Sequence, residues 1–126
     1  MLKNILLVGL GGAVGSILRY LIGFFIKKQF PIDYQTFATF IVNFFGSIII
    51  GYGMSQVMKG HWHDNLIFLI IIGFCGGFTT FSTFSYENFV YLQNQQFFYF
   101  LSYTILSVTL CILGVFLGFS IVEKLF

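Results

Sequence analysis

Residues 73–88 read GFCGGFTTFSTFSYEN and combine a glycine pair, a run of hydroxyl side chains and phenylalanines at every third position. They lie inside an apolar segment that is long enough to cross a bilayer. An unsatisfied backbone group in hydrocarbon costs several kcal/mol, so this composition is tolerated only where protein or water covers it. Interrupted helices of this kind line ion and substrate sites, because they offer carbonyls where one half ends and amides where the next begins. We therefore expect a functional site here.

Polar side chains on the other apolar segments follow helical spacing. Asn43 belongs to a stripe with an i+4 repeat, whose members are Thr39, Asn43, Ser47, Gly51 and Ser55. A second stripe contains Tyr103, Ser107 and Cys111. Helix packing and bonds to i−4 carbonyls also produce such stripes. Asn43 is the exception, because its amide carries two donors that its own helix cannot satisfy at membrane depth.

Few residues in these segments carry charge. Arg19 lies near the end of the first segment, where we expect its side chain to extend to the membrane interface. The alternatives are that it holds the broken third helix or tunes an anion vestibule. Glu87 follows the break, and its position favours vestibule exposure or a structural hydrogen bond over proton carriage. His61 and His63 flank Trp62 in a loop, which favours an interfacial position over a metal site.

The composition places the chain in a membrane. Hydrophobic residues make up 58% of the sequence and charged residues 8%, against about 25% charged residues in soluble domains. Apolar windows of about 20 residues predict spanning helices. We predict a single all-α transmembrane domain over residues 1–126, with four helices at about 5–26, 36–58, 66–92 and 97–122 and the third broken near its middle. Pro31 lies in the first loop, where it is expected to stop a helix. No cluster typical of an active site lies at membrane depth, so the sequence does not indicate an enzyme.

Basic residues are almost evenly divided between the two predicted faces. One face carries Lys3, Lys59 and Lys124, and the other carries Lys27 and Lys28, with Arg19 inside the first helix toward that end. Orientation normally follows an excess of Lys and Arg on the cytoplasmic side, and this chain has almost none. The balance is compatible with insertion in both orientations and an antiparallel dual-topology homodimer. A single orientation set by weak signals is equally compatible with it.

Small residues at i and i+4 predict close helix packing. The first helix has the pairs Gly11–Gly15 and Gly12–Ser16, and the second has Ser47, Gly51 and Ser55. Such faces let two backbones approach closely, either within one chain or between two chains. We favour packing over a direct ligand role for these glycines.

Three motifs resemble the Fluc (CrcB) family of bacterial fluoride channels. They are GGAVGSILRY at residues 11–20, VNFFGS at residues 42–47 and GFCGGFTTFSTFSYE at residues 73–87. The third is long and unusual enough to be specific. The resemblance implies an antiparallel dual-topology homodimer in the bacterial cell membrane that exports fluoride passively through two pathways.

The resemblance also implies roles for individual residues. It places pore phenylalanines at Phe81 and Phe84, an ion-facing amide at Asn43, and hydroxyl contacts at Ser82, Tyr103 and Ser107. It implies a structural sodium ion held by the main-chain carbonyls of Gly76 and Thr79 from both subunits. Cys111 stands where a hydroxyl is expected, so a pathway role for it is not predicted. The expected partners are fluoride, a second copy in the opposite orientation and membrane lipid, with no nucleic acid.

Two other classes compete with this interpretation. Small four-helix multidrug exporters are also compact, but they need an embedded carboxylate to couple protons to a cationic substrate. Glu87 is the only acidic residue in the predicted spans. In a non-conducting assembly protein, the hydroxyl run of the third helix would serve packing alone. Efflux of fluoride but not chloride from liposomes would separate the three classes.

Overall fold

A computed structural model describes residues 1–29 and 34–125, and these residues are helical apart from short connections. Pro31 lies outside the described residues. The described part of the chain contains no β-strand. The helices are α1 (Leu2–Gln29), α2 (Tyr34–Met58), α3 (residues 64–78), α4 (Phe81–Gln93) and α5 (Phe97–Leu125).

Among the described residues, four stretches are apolar and long enough to cross a membrane, which confirms the prediction of four helices that could span one. They are Leu2–Gln29, Gln35–Met58, Asp64–Gln93 and Phe97–Lys124. The third stretch contains both α3 and α4. Between these two helices, Thr79 and Thr80 have extended backbone angles, with ψ of 160° and 110°.

Helix α3 is not α-helical throughout. It begins with an α-helical turn at Asp64–Leu66, continues as a π-helix over Ile67–Cys75 and ends with an α-helical turn at Gly76–Phe78. The sequence analysis did not predict the π-helix. A segment that is apolar on every side carries no periodic signal to separate the two kinds of turn. Wider turns of this kind are frequent near functional sites.

The helices pack in two main pairs, α1 with α3 and α2 with α5. The predicted small-residue faces lie at these contacts. A Cβ atom added to Gly15 would meet the Phe74 carbonyl and, at 2.8 Å, the Phe78 amide nitrogen. One added to Gly51 would meet the Val115 backbone. The packing prediction is therefore confirmed, and these close approaches occur within one chain.

The turns after α2 and α4 end their helices in the same way. After α2, Gly60 has φ of +73°, and the His61 amide donates to the Gln56 carbonyl at 3.0 Å. After α4, Gln95 has φ of 57°, and the Gln96 amide donates to the Tyr91 carbonyl at 2.9 Å. A residue in the left-handed conformation turns the chain back, so that the next amide can bond a carbonyl that the helix end leaves free. The second of these turns joins α4 and α5 as a short hairpin.

Candidate functional site

The extended connection between α3 and α4 is held by the Asn43 side chain of α2. Asn43 Oδ1 accepts the Thr80 amide at 2.7 Å, and Asn43 Nδ2 donates to the Thr80 carbonyl at 3.2 Å. Both backbone groups of one extended residue are thus satisfied by one side chain. Asn43 keeps its second amide hydrogen, because each Asn amide nitrogen carries two donors.

Thr79, the other extended residue, is also fully bonded. Its amide donates to the Cys75 carbonyl at 2.9 Å, and its carbonyl accepts from Arg19 Nη1 at 3.4 Å. The Thr80 hydroxyl caps the next helix by accepting the Thr83 amide at 3.2 Å. The break therefore leaves no backbone group of Thr79 or Thr80 without a partner, which is the condition for irregular backbone at membrane depth.

Arg19 lies within reach of the break. Its guanidinium donates to the Thr79 carbonyl at 3.4 Å, and Arg19 also lines a small cavity with Thr80 and Glu87. This contact agrees with the alternative in which Arg19 holds the broken third span. Extension of the side chain to the membrane interface stays a prediction.

A cavity of about 240 Å³ lies beside the break, and we call it the central cavity. Four of the six predicted pathway residues line it: Asn43, Phe81, Phe84 and Ser107. The other lining residues are Ser47, Ile50, Thr79, Val108 and Cys111. No Lys, Arg, Asp or Glu is among them. The walls are thus apolar rings and aliphatic groups with a few neutral hydrogen-bonding groups.

Two donors in the central cavity are not consumed by the protein. Ser107 is buried, and its Oγ has no hydrogen-bond partner among the described residues. Buried polar atoms in native structures almost always have a partner, so this hydroxyl on a cavity wall is available to a bound water molecule or ion. The second Asn43 amide hydrogen is the other donor. Ser47 differs from both, because its hydroxyl donates to the Asn43 carbonyl at 2.7 Å.

The aromatic wall of the cavity consists of the Phe81 and Phe84 rings of α4. The Phe84 ring lies 5.6 Å from the Phe81 ring and 5.1 Å from the Tyr103 ring, measured between centroids. Phe84 is 9% exposed, whereas Phe81 is 77% exposed. The described residues therefore leave most of the Phe81 side chain uncovered.

Two predicted pathway residues lie outside the central cavity. Tyr103 contacts Phe84 but lines a different, largely apolar cavity with Phe40 and Leu106. Ser82 is exposed on α4, and its Oγ lies 3.2 Å from the Thr80 hydroxyl. Ser82 and Tyr103 therefore lie apart from the other four predicted residues. Ser82 belongs to the same motif as Phe81 and Phe84, and Tyr103 to the same stripe as Ser107.

Glu87 forms a three-helix hydrogen-bond cluster. Its Oε1 accepts the Thr39 hydroxyl of α2 at 2.8 Å, and its Oε2 accepts the Tyr103 hydroxyl of α5 at 2.8 Å. Glu87 is 6% exposed. It also lines a second cavity of about 170 Å³, together with Arg19, Thr80 and Thr83. Glu87 thus accepts hydrogen bonds from two neighbouring helices, and the same side chain lines this small cavity.

The remaining candidates lie apart from this group. His61 Nδ1 lies 2.9 Å from Gln56 Oε1 in the α2–α3 loop. Within residues 1–29 and 34–125, no three His, Cys, Asp or Glu side chains are placed to hold a metal ion. Cys75 is buried, whereas Cys111 lines the central cavity. The sequence analysis predicted no pathway role for Cys111, and the structure places it on the cavity wall.

Four residues that bond around the site were not predicted as functional from the sequence: Thr39, Thr80, Asn88 and Thr104. Their signals are weak because Thr and Asn side chains at membrane depth are common in packing contacts. Thr39 was visible as a stripe member, but nothing in the sequence connected it with Glu87. Only the fold brings α2 and α4 together.

Comparison with known proteins gives full-length matches. The sequence model of the family described as "CrcB-like protein, Camphor Resistance (CrcB)" matches residues 6–119. A relative from Gloeothece citriformis is 46% identical over 96% of this chain and 98% of its own length. Relatives from Campylobacter lari and Phocaeicola vulgatus are each 43% identical, over 96% and 93% of this chain and 98% and 96% of their own lengths. All three are named "Fluoride-specific ion channel FluC".

Proposed function

We infer that this chain, which belongs to the CrcB-like family, is a fluoride-specific ion channel and a multi-pass membrane protein. The full-length similarity to relatives named as fluoride channels carries the function. Passive movement of fluoride through such a protein in the bacterial cell membrane would lower the fluoride concentration in the cytoplasm. The central cavity is the site that we propose for this selection.

The central cavity has the chemistry that a fluoride pathway needs. Fluoride is small and strongly hydrated, so a pore must replace its water with donors and still let the ion leave. The free Asn43 amide hydrogen and the unpartnered Ser107 hydroxyl supply such donors. A Lys or Arg on the wall would hold the anion too tightly, and the cavity is lined by neither. The positive edges of the Phe81 and Phe84 rings complement an anion without binding it strongly.

The position of Glu87 disfavours a proton-coupled exporter. A carboxylate that exchanges protons with a cationic substrate must face the substrate path. Glu87 instead accepts hydrogen bonds from Thr39 and Tyr103, and it is not among the residues that line the central cavity. The unsatisfied Ser107 hydroxyl likewise argues against a purely structural assembly protein, because a packing role would leave no reason for an unfilled buried donor.

We further propose that two copies assemble in opposite orientations, as an antiparallel homodimer with two pathways. The even distribution of Lys residues supports insertion in both orientations. The exposure of Phe81 supports a second copy at the site, because this side chain forms one wall of the central cavity yet is 77% exposed. Lipid would surround the remaining apolar surface.

A structural sodium ion between the two copies is part of this proposal. In a continuous α-helix, the Thr80 amide would donate to the Gly76 carbonyl, but Asn43 accepts that amide. Gly76 is exposed, and a Cβ atom built on it meets nothing within 4 Å. The carboxyl end of a helix favours a cation, and sodium, a hard cation, takes oxygen ligands. The Gly76 carbonyl therefore fits such an ion.

The Thr79 carbonyl fits with one restriction. It already accepts Arg19 Nη1 at 3.4 Å, which leaves one lone pair for another partner. The neighbouring guanidinium charge also opposes a second cation. A single chain would thus hold sodium weakly, so the carbonyls of a second copy are needed. When bound, the ion would neutralise the carbonyls at the two helix ends.

Flux measurements test the proposal directly. The purified protein is reconstituted into liposomes loaded with potassium fluoride or potassium chloride, and valinomycin is added to allow charge balance. We expect rapid fluoride efflux and no chloride efflux above that of empty liposomes, without dependence on a proton gradient. Equal efflux of both anions would refute the selectivity, and no efflux of either would refute the channel.

A further inference from the structure

Two neighbouring hydrogen bonds connect α4 with α5. The Tyr103 hydroxyl donates to Glu87 Oε2 at 2.8 Å, and the Thr104 hydroxyl donates to Asn88 Oδ1 at 2.9 Å. The two donors are adjacent in sequence, and so are the two acceptors. The Tyr103–Glu87 bond belongs to the three-helix cluster described above. The Thr104–Asn88 bond involves α4 and α5 alone.

Asn88 also connects this bond to the aromatic wall. Its Nδ2 donates to the Phe84 carbonyl at 3.0 Å, one helical turn earlier on α4. Asn88 is 6% exposed. The Thr104 hydroxyl is therefore joined through one buried amide to the backbone of Phe84. The Phe84 ring in turn packs against Tyr103, which precedes Thr104 on α5.

Helix α4 needs such a connection because it is not continuous with α3. Thr79 and Thr80 are extended, so the start of α4 does not inherit its rotation from the helix before it. Adjacent residues of an α-helix point about 100° apart around the axis. Hydrogen bonds at both Glu87 and Asn88 therefore fix the rotation of α4 as well as its height. The second bond restrains rotation of α4 about the contact that the first bond makes.

The rotation of α4 determines where the Phe84 ring lies. Phe84 is nearly buried between Phe81 and Tyr103 and forms part of the central cavity wall. A turn of α4 by a fraction of one residue would move the ring edge relative to Ser107 and Asn43. The residues that fix this rotation therefore influence an ion in the cavity without touching it.

We propose that Asn88 and Thr104 are positioning residues for ion permeation, which hold the Phe84 ring at the wall of the central cavity through the Thr104–Asn88–Phe84 hydrogen-bond chain. This inference rests on the proposed fluoride channel function. It assigns to the two residues a role in the rate of fluoride passage that is separate from their contribution to folding.

The test uses isosteric changes of one hydroxyl. Thr104→Val removes the donor and keeps the shape, Thr104→Ser keeps the donor, and Thr109→Val makes the same chemical change on the exposed face of α5. Each purified full-length variant is assayed for fluoride efflux per folded protein and for thermal unfolding in the same detergent. We expect Thr104→Val to reduce efflux about fivefold. This is the factor by which the loss of one net hydrogen bond changes an equilibrium, here the one between the correct and a rotated position of α4. Thr104→Ser and Thr109→Val should remain near the unsubstituted protein.

A second comparison shows whether the effect passes through Phe84. In a Phe84→Ile background the ring is absent, so Thr104→Val should cause no further loss of efflux. The positioning role would be overturned if the double variant lost efflux by the product of the two single losses. Normal efflux per folded Thr104→Val protein would overturn it as well. If Thr104→Val does not fold, Asn88→Leu replaces it in both comparisons with the same expected results. Absence of fluoride efflux from the unsubstituted protein would instead refute the proposed function itself.

Discussion

The side-chain amide of Asn43 forms two hydrogen bonds with the backbone of Thr80, one to its amide and one to its carbonyl. This pairing satisfies an extended residue in the middle of a membrane span. Asn43 also lines the central cavity, so one side chain supports the break and forms part of the cavity wall.

Asn43→Asp is expected to abolish most fluoride efflux. The carboxylate can still accept the Thr80 amide, but it loses the donor to the Thr80 carbonyl and places negative charge on the cavity wall. Ser47→Ala is the matched control on the same wall, because the Ser47 hydroxyl is already bonded to its own helix. Liposome efflux and size-exclusion profiles are measured for both variants. Normal efflux through a stable Asn43→Asp protein would remove Asn43 from the pathway.

Phe84→Ile and Phe81→Ile should both reduce efflux sharply, because each keeps apolar bulk but removes the ring edge. Their effects on stability should differ. Phe84 is nearly buried, so its replacement should lower the free energy of unfolding by up to about 1.5 kcal/mol. Phe81 is exposed within one chain, so its replacement should affect assembly more than folding. Chemical unfolding and dimer fraction, measured on the same preparations, check this difference.

If both phenylalanines serve packing alone, the loss of efflux will follow the loss of dimer in every variant. A stable dimeric variant with normal efflux would remove that ring from the proposed pathway. A stable dimeric variant with lost efflux would show that the ring acts in the pathway and not through packing alone.

The sequence predicted the four spans and the packing glycines because both signals are local. Apolar length identifies a span, and residues at i and i+4 share a helix face regardless of the partner. Gly15 could therefore be assigned to a close contact before its partners Phe74 and Phe78 were known. The same local reasoning identified Asn43 as a residue that needs a partner outside its own helix.

The partners themselves could not be predicted, because they depend on which helices meet. Arg19 was expected at the interface, since a basic residue near a helix end usually extends there. Its bond to Thr79 arises only because α1 packs against the end of α3. The Thr104–Asn88 bond likewise requires the register of the α4–α5 hairpin, which no residue spacing reveals.

Adding two lysines to the α2–α3 loop should bias the chain toward one orientation, because the existing basic residues almost balance. We expect this variant to lose fluoride efflux when produced alone. A second variant, with two lysines added at the carboxyl end of α1 beside Lys27 and Lys28, should restore efflux when both are produced together. Labelling of a terminal cysteine from each side of the membrane checks orientation. Labelling of the unsubstituted chain from one side only would contradict dual topology.

Substitutions at the α3 end should distinguish a main-chain cation site from a side-chain site. Thr79→Ser keeps both the carbonyl and a hydroxyl, so we expect a normal dimer and normal sodium dependence of its stability. Gly76→Leu should prevent dimer formation, although the space around Gly76 within one chain is open. Thermal unfolding in sodium and in N-methylglucamine buffers measures the effect. Equal stability in the two buffers for the unsubstituted dimer would contradict the sodium site.

Gly15→Ala should disrupt the α1–α3 contact, whereas Gly9→Ala on the same helix should not. A Cβ atom at Gly15 would meet the Phe74 carbonyl and the Phe78 amide, and backbone atoms cannot move aside as a flexible side chain can. We expect a loss of about 1–3 kcal/mol in unfolding free energy, as for other overpacked sites. Gly9 meets nothing within 4 Å, so alanine there should stabilise the helix by about 0.5–1 kcal/mol.

The same pair of variants tests the role of Arg19 at the break. Gly15 lies one helical turn before Arg19, so an outward shift of α1 would also move the guanidinium away from the Thr79 carbonyl. Gly15→Ala should therefore lose fluoride efflux even in the fraction that remains folded, while Gly9→Ala keeps it. Chemical unfolding and liposome efflux are compared for the two variants. Equal stability of both would show that α1 and α3 do not approach as closely as the structure indicates, and normal efflux from folded Gly15→Ala would show that permeation does not depend on the Arg19–Thr79 contact.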